Sequence, residues 1–232
     1  LAIGAHPDDV ELGLGGTLHK LTQRGYSAAI LDLTQGEMGT RGSVAERAEE
    51  GKAAARVLGV AFRECAGLPD GGLANTTEQQ RRIIPFIRKH RPAMLLIPKA
   101  PDRHPDHAAA HGLARDANYF SGLERIETGE ERHRTPRVYF YNPYFESEMP
   151  SLIVDISDHF EAKLEALRAH ASQFHNPDYP GKETFISSRR FWESITTRAA
   201  YWGQQIGAAY GEPLFSEAPI ALDLPLGLGP IQ

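Results

Sequence analysis

"LAIGAHPDDVELGLGGTL", residues 1–18, decides how this chain is read. Residues 1–5 form an apolar run of strand character, and Val10, Leu14, Leu18 and Leu21 then recur at helical spacing up to Gly25. His6, Asp8, Asp9 and Glu11 stand between the two, at the C-terminal end of a strand, where α/β proteins gather their ligands. The chain opens on Leu1 inside this strand, so a few native residues are expected to precede it.

The alternation continues. "SAAILDLT" (27–34), "VAFRECAGL" (60–68) and "PAMLLIPKA" (92–100) read as strands, while "VAERAEEGKAAARVLG" (44–59) and "TEQQRRIIPFIRKHR" (77–91) read as helices. Pro85 is expected to kink or shorten the second of these. The pattern predicts an α/β, Rossmann-like fold, a mostly parallel sheet with helices on both faces. After residue 135, "RVYFYNP" (137–143) and "SLIVDIS" (151–157) are strand-like, and "DHFEAKLEALRAHASQF" (158–174) and "RRFWESITTRAAYWGQQIGAAYG" (189–211) are helical. One domain over 1–232 is expected, with a core at 1–135 completed by 136–232.

Of the 232 residues, 41% are hydrophobic and 24% charged, and no apolar run approaches the roughly 18–20 residues of a membrane span. A soluble protein is expected. The net charge of −5, without clustered Lys and Arg, leaves no footprint for nucleic acid. Cys65 is the single cysteine, so no intrachain disulfide forms; this fits a reducing compartment, and the cytoplasm is the expected location.

Gly13, Gly15 and Gly16 after a strand, with Asp32 near the end of the next, imitate a dinucleotide fingerprint. The acidic residues ahead of them would repel a pyrophosphate, and the glycines begin inside the helix, where they suit close packing instead. A second cluster, "DRHPDH" (102–107), follows the fourth strand and opens the helix "PDHAAAHGLARDANYF" (105–120). Taken alone, an Asp at either turn is equally explained as no more than a helix cap. Two such clusters on parallel strands can also converge on one crevice, and imidazole with carboxylate is a ligand set for catalytic zinc. The spacing of His6 and Asp9 lets both face one point, and His107 would complete a site open to water.

These paired motifs resemble those of the LmbE-like deacetylases, the family that includes the PIG-L enzymes of N-acetylglucosaminyl lipid deacetylation. The resemblance extends through "GEMGTRGSVAERAEE", "LPDGGL", "RPAMLLIPKAPDRHPDH" and "ASQF". It is nearest the bacillithiol branch, which deacetylates N-acetylglucosaminyl-malate or related N-acetylglucosamine compounds. The resemblance implies that His6, Asp9 and His107 bind zinc, a set that iron(II) also suits. It implies Asp8 as general base, a protonated His104 as stabiliser of the oxyanion, and Asp106 as the residue that orients His104 and raises its pKa. Arg47 is implied as a substrate contact, although spacing alone equally allows an ion pair with Glu50. Glu37 and Met38 would flank the crevice, and Arg103 would order the second motif or touch substrate. His111 is read as lying behind the ligands or on the surface, because a fourth protein ligand would close the open position. The resemblance also implies a homo-oligomer, often a hexamer in this branch, and a small N-acetylated sugar as substrate.

The aromatic set Tyr139, Phe140, Tyr141, Tyr144 and Phe145 suits either a saccharide platform or strand core. Two competing functions use the same residues: a metal-dependent hydrolase of another amide, ester or phosphoester bond, and a non-catalytic metal-dependent sugar-binding protein. A phosphoesterase would need further carboxylates for a second metal, and Asp102 and Asp106 are the candidates.

Overall fold

The computed structural model describes residues 1–144 and 148–220; Phe145 and the chain beyond residue 220 lie outside them. Five strands, β1 (Ala2–Gly4), β2 (Ala29–Asp32), β3 (Phe62–Cys65), β4 (Met94–Pro98) and β5 (Arg137–Tyr141), form one sheet. All its pairings are parallel and its order is β3-β2-β1-β4-β5. The chain winds outward from β1 to β3, then crosses back to place β4 on the other side of β1. The switch point of the sheet therefore lies between β1 and β4, where an open α/β sheet leaves a crevice at its strand ends.

Side chains alternate across the sheet as the pleat requires. Ile3, Leu31, Leu95 and Ile97 face α3 (Thr77–His90) and α4 (Pro105–Ser121), packing on Ile83, Ile84, Ile87 and Leu113. Ala2, Ile30 and Leu96 face the opposite way, onto Val10, Leu14 and Leu18 of α1 (Asp9–Gln23) and Ala54 and Leu58 of α2 (Val44–Leu58). Both faces are thus covered, which is why the strands read as continuous apolar runs. Pro85 is carried inside α3 without ending it.

The C-terminal part completes the α1–α2 face. β6 (Leu152–Asp155) pairs antiparallel with β7 (Gly211–Leu214), and α5 (Phe160–Ala169) packs against α1 and α2, while α6 (Arg189–Gln204) packs on β7. Two sequence expectations are corrected. The helix expected over 158–174 stops at Ala169, because His170 is fully buried with its Nε2 3.1 Å from Glu11 Oε1, and Ser172 turns to bind Glu50. The helix expected over 189–211 ends at Gln204, and its last residue, Gly211, starts a strand.

A buried network lies under α1. Arg63 grips Asp32 through Nε at 2.6 Å and Nη2 at 2.9 Å, and its Nη1 binds Glu11. Burial alone would raise the Glu11 pKa, but Arg63 and His170 overcome it and hold the carboxyl near 2.

The glycines of α1 serve packing. A Cβ at Gly13 would lie 2.3 Å from Tyr141 Cδ2, and one at Gly16 would lie 2.7 Å from Ile156 Cδ1. Gly13→Ala is therefore expected to destabilise the fold by about 1–3 kcal/mol through overpacking, although alanine favours a helix by up to ~1 kcal/mol. A urea midpoint lowered by the substitution fits this packing; a raised midpoint contradicts it.

Candidate metal centre and active site

Because β1 and β4 are neighbours, the turns that follow them meet. His6 and Asp9 leave β1, and His104 and His107 leave β4 through the first turn of α4. The His6 and His104 ring centroids are 4.8 Å apart, and those of His104 and His107 are 4.7 Å apart. Asp9 sits between the other two ligands expected from the sequence: its Oδ2 is 3.4 Å from His6 Nδ1 and its Oδ1 is 3.1 Å from His107 Nε2.

Carboxylates surround this group. His6 Nε2 is 3.1 Å from Asp70 Oδ1 and 3.3 Å from Asp106 Oδ2, and His107 Nδ1 is 3.4 Å from Asp102 Oδ2. Burial alone would lower the His6 pKa, but Asp106, Asp70 and Asp9 override it and push it up to about 12. His107 rises to about 9 against the same burial, driven by Asp9 and Asp102. Asp9 is held well below the usual carboxylate range because His107 and His6 outweigh its burial. Carboxylates outnumber cationic groups in this cluster, which favours the charged form of both imidazoles.

The donor set fits a divalent metal at His6, Asp9 and His107. Both ring nitrogens of His107 are buried and make no well-directed hydrogen bond among the described residues, with only carboxylate oxygens, Asp9 Oδ1 and Asp102 Oδ2, beside them, a setting that suits a ligand of a cation. Among the described residues, two groups bring ligand atoms within 4.8 Å of one another: His6, His104 and His107, and His6, Asp70 and Asp106. The carboxylates of the second group are Asp70 and Asp106. Their oxygens are already engaged: Asp70 Oδ2 accepts from the Met38 amide at 2.8 Å, and Asp106 accepts from Gly71 at 2.7 Å and Leu73 at 3.3 Å. These carboxylates are better suited to hold the Nε2 side of His6 while its Nδ1 faces Asp9.

Asp106 thereby departs from expectation. Its carboxylate lies at His6, and only its backbone N–H reaches His104, donating to Nδ1 at 3.2 Å. That bond puts the proton of a neutral His104 on Nε2. Burial, then His107 and His6, holds His104 below the ordinary imidazole range, so the protonated form expected from the sequence is disfavoured.

Asp8 occupies the N-cap position of α1 with φ 124° and ψ −25°, yet its side chain does not cap the helix. Its carboxylate is 3.2 Å from Arg47 Nη2, which also donates to Pro7 O at 2.8 Å, while Arg47 Nη1 donates to Gly36 O at 2.9 Å. A non-glycine backbone at such a φ costs about 1–3 kcal/mol and persists only where its surroundings hold it, as Arg47 does. Burial pushes the Asp8 pKa up to about 6, with Arg47 opposing and Asp9 adding to the rise. Arg47 does not pair with Glu50, whose carboxylate binds Ser172 instead.

The remaining expected residues lie around this centre. Glu37 braces the adjacent loop, accepting from the Asp70 amide at 2.8 Å, and Met38 is 74% exposed. Arg103 lies over the rings of Tyr144 and Phe185. His111 is turned away, with Nδ1 on Pro98 O and Nε2 on Glu217. Asp70 escaped the sequence reading because Asp in "LPDGGL" is sufficiently explained as a turn residue. Tyr144, stacked on His107 with centroids 5.3 Å apart, was legible only as part of an aromatic run.

Residues 1–118, which carry both turns, match the family described as "PIG-L: GlcNAc-PI de-N-acetylase". The chain belongs to the PIG-L family. It is 36% identical to a diacetylchitobiose deacetylase of Thermococcus kodakarensis, over 91% of this chain and 80% of that protein. It is 33% identical to a probable N-acetyl-alpha-D-glucosaminyl L-malate deacetylase of Bacillus anthracis, over 75% of this chain and 80% of that one. A crystal structure of a conserved protein from Thermus thermophilus superposes with a TM-score of 0.87 at 38% identity, covering 97% of this chain and 96% of the other. This PIG-L protein is thus a deacetylase, a hydrolase of amide bonds. The similar deacetylases belong to more than one branch, so the family holds while the bacillithiol branch is not singled out. No described helix is long and apolar enough to cross a membrane.

Loss of a carboxylate behind a ligating histidine typically weakens metal binding about 10–100-fold. Asp106→Asn is expected to do so in a chelator-competition titration, and an unchanged metal affinity would contradict the placement of Asp106 behind His6.

Proposed function

We propose that this PIG-L protein is a cytoplasmic, zinc-dependent N-deacetylase that hydrolyses the acetamide of an N-acetylglucosamine derivative, releasing acetate and the free amine. The observation that carries this reading is Asp8: a strained, buried carboxylate beside the ligand set, raised to about 6 and spared from both capping and ligation. Binding alone needs no such base, which disfavours a non-catalytic sugar-binding protein. The single cysteine supports a reducing compartment.

A divalent cation held by His6, Asp9 and His107 would polarise the acetyl carbonyl and make water more acidic. Asp8 takes the proton as water attacks the carbonyl carbon, and returns it to the sugar nitrogen as the C–N bond breaks. Arg47 keeps Asp8 in place throughout, being tied at once to the Asp8 carboxylate, Pro7 O and Gly36 O. The Nε2–H of His104 supplies a neutral donor to the oxyanion of the tetrahedral intermediate, a role that the Asp106 amide on Nδ1 supports. Asp70, Met38, Glu37 and Arg103 form the rim that meets the substrate.

A phosphoesterase reading would recruit Asp102 and Asp106 to a second metal. Asp106 is taken, holding two backbone amides and facing His6, while Asp102 accepts from the His104 amide through Oδ1 at 2.7 Å and turns Oδ2 to His107. The malate glycoside expected from the sequence and the disaccharide of the Thermococcus enzyme share the N-acetylglucosamine acetamide that this mechanism addresses.

Amine release is expected from both compounds with metal-loaded protein. Asp8→Asn is expected to lower kcat by at least about 100-fold while leaving metal content unchanged. Release that survives the substitution, or no release from either substrate by the wild type, contradicts the mechanism.

A further inference from the structure

The two imidazoles of the ligand set are held in different ways. The Nε2 of His6 is hydrogen-bonded to Asp70 at 3.1 Å and to Asp106 at 3.3 Å. His107 has carboxylate oxygens beside both nitrogens but makes no well-directed hydrogen bond to them. The torsion that turns an imidazole about its Cβ–Cγ bond is broad, so contacts of this kind leave the ring plane loosely defined. Neighbouring rings define it instead. His104, one turn back at the start of α4, stacks on His107 with centroids 4.7 Å apart and planes inclined at 23°. Tyr144, from the chain beyond β5, lies closer to parallel, at 5.3 Å and 10°. α6 holds Tyr144 in turn. Arg198 Nη1 donates to Pro143 O at 3.0 Å and to Tyr144 O, and Phe191 meets the Tyr144 ring edge-on with centroids 6.0 Å apart. The Tyr144 amide donates to Asn142 Oδ1 at 3.1 Å, and the Arg103 guanidinium lies 5.3 Å from the ring centroid.

We propose that Tyr144 is a positioning residue for the metal centre: its ring, pinned by α6, sets the plane of the His107 imidazole and with it the direction in which Nε2, beside Asp9, offers its lone pair. This rests on the reading of His107 as a metal ligand. A ring nitrogen binds a cation in the plane of its ring, so a tilted imidazole points past the ion. The residues behind a ligand ordinarily orient it through a hydrogen bond, as Asp70 and Asp106 do for His6. At His107 an aromatic face takes that part, and offset parallel stacking is a preferred geometry for flat groups. The competing reading is a space-filler between α4 and α6, a part that any apolar side chain of similar size plays. The two readings differ in what a flat ring supplies and a branched chain does not.

The test is cobalt(II) bound to the apo-protein, with chelator competition for affinity and visible absorption for the geometry of the ion. Tyr144→Leu, apolar but not flat, is expected to weaken cobalt binding about 5–10-fold, the scale of one aromatic contact, and to alter the absorption. Tyr144→Ile, a second non-planar variant, is expected to do the same, and Tyr144→Phe to keep both at wild-type values. The Tm of each metal-free protein is measured alongside. A Tm lowered in the non-planar variants with affinity and absorption unchanged makes Tyr144 a filler and overturns the proposal. A loss in Tyr144→Phe equal to that in Tyr144→Leu also overturns it, by giving the role to the hydroxyl. His107→Ala separates the two claims: cobalt bound as tightly without His107 overturns the ligand assignment itself, whereas binding that needs His107 but tolerates Tyr144→Leu overturns only the role of the stack.

Discussion

Charge compensation at the β1–β4 switch point governs this structure. Asp8, Asp9 and Asp106 are buried together at the ends of two neighbouring strands, with Asp70 and Asp102 against the same histidines. An isolated carboxylate in such a place would cost many kcal/mol, so each must be paired, hydrogen-bonded or neutralised. Arg47 pairs with Asp8, backbone amides serve Asp70 and Asp106, and the imidazoles of His6 and His107 answer the rest. The same balance runs beneath the site, where Arg63 joins Glu11 to Asp32 and anchors the first turn of α1 to β2. The turn bearing the histidine and aspartates is thereby clamped from both sides.

From that constraint the chemistry follows. His6 and His107 are drawn toward protonation by their carboxylates, and a metal ion would supply the same positive charge in the proposed site. Asp8 differs from its neighbours in being strained and raised rather than lowered in pKa. In the proposed mechanism adjacent aspartates divide the work, Asp9 suited to a cation and Asp8 to a proton, a separation set by environment rather than residue type.

Much of this was legible in the sequence, for physical reasons. Strands buried on both faces leave apolar runs, and amphipathic helices leave a stripe, so the order β1 to β4 with its helices could be read directly. The two His-Pro-Asp turns stood out because titratable residues crowded where a core strand ends. What escaped depends on contacts distant in sequence. Asp70 looks like any turn aspartate until the loop carrying it folds over His6. The direction of the Asp106 carboxylate is set by amides at Gly71 and Leu73, which spacing from His104 cannot reveal. β7 carries a proline and has no alternation; its identity comes from pairing with β6 and from Glu212, whose carboxylate binds Lys163 and two amides of α1.

The most direct measurement is anomalous diffraction at the zinc edge from crystals of the zinc-loaded protein. One ordered ion bonded to His6, Asp9 and His107, with Asp70 and Asp106 behind His6 and Asp8 unligated, is the predicted result. An ion held by His6, Asp70 and Asp106, or one that takes Asp8 as a ligand, would contradict it.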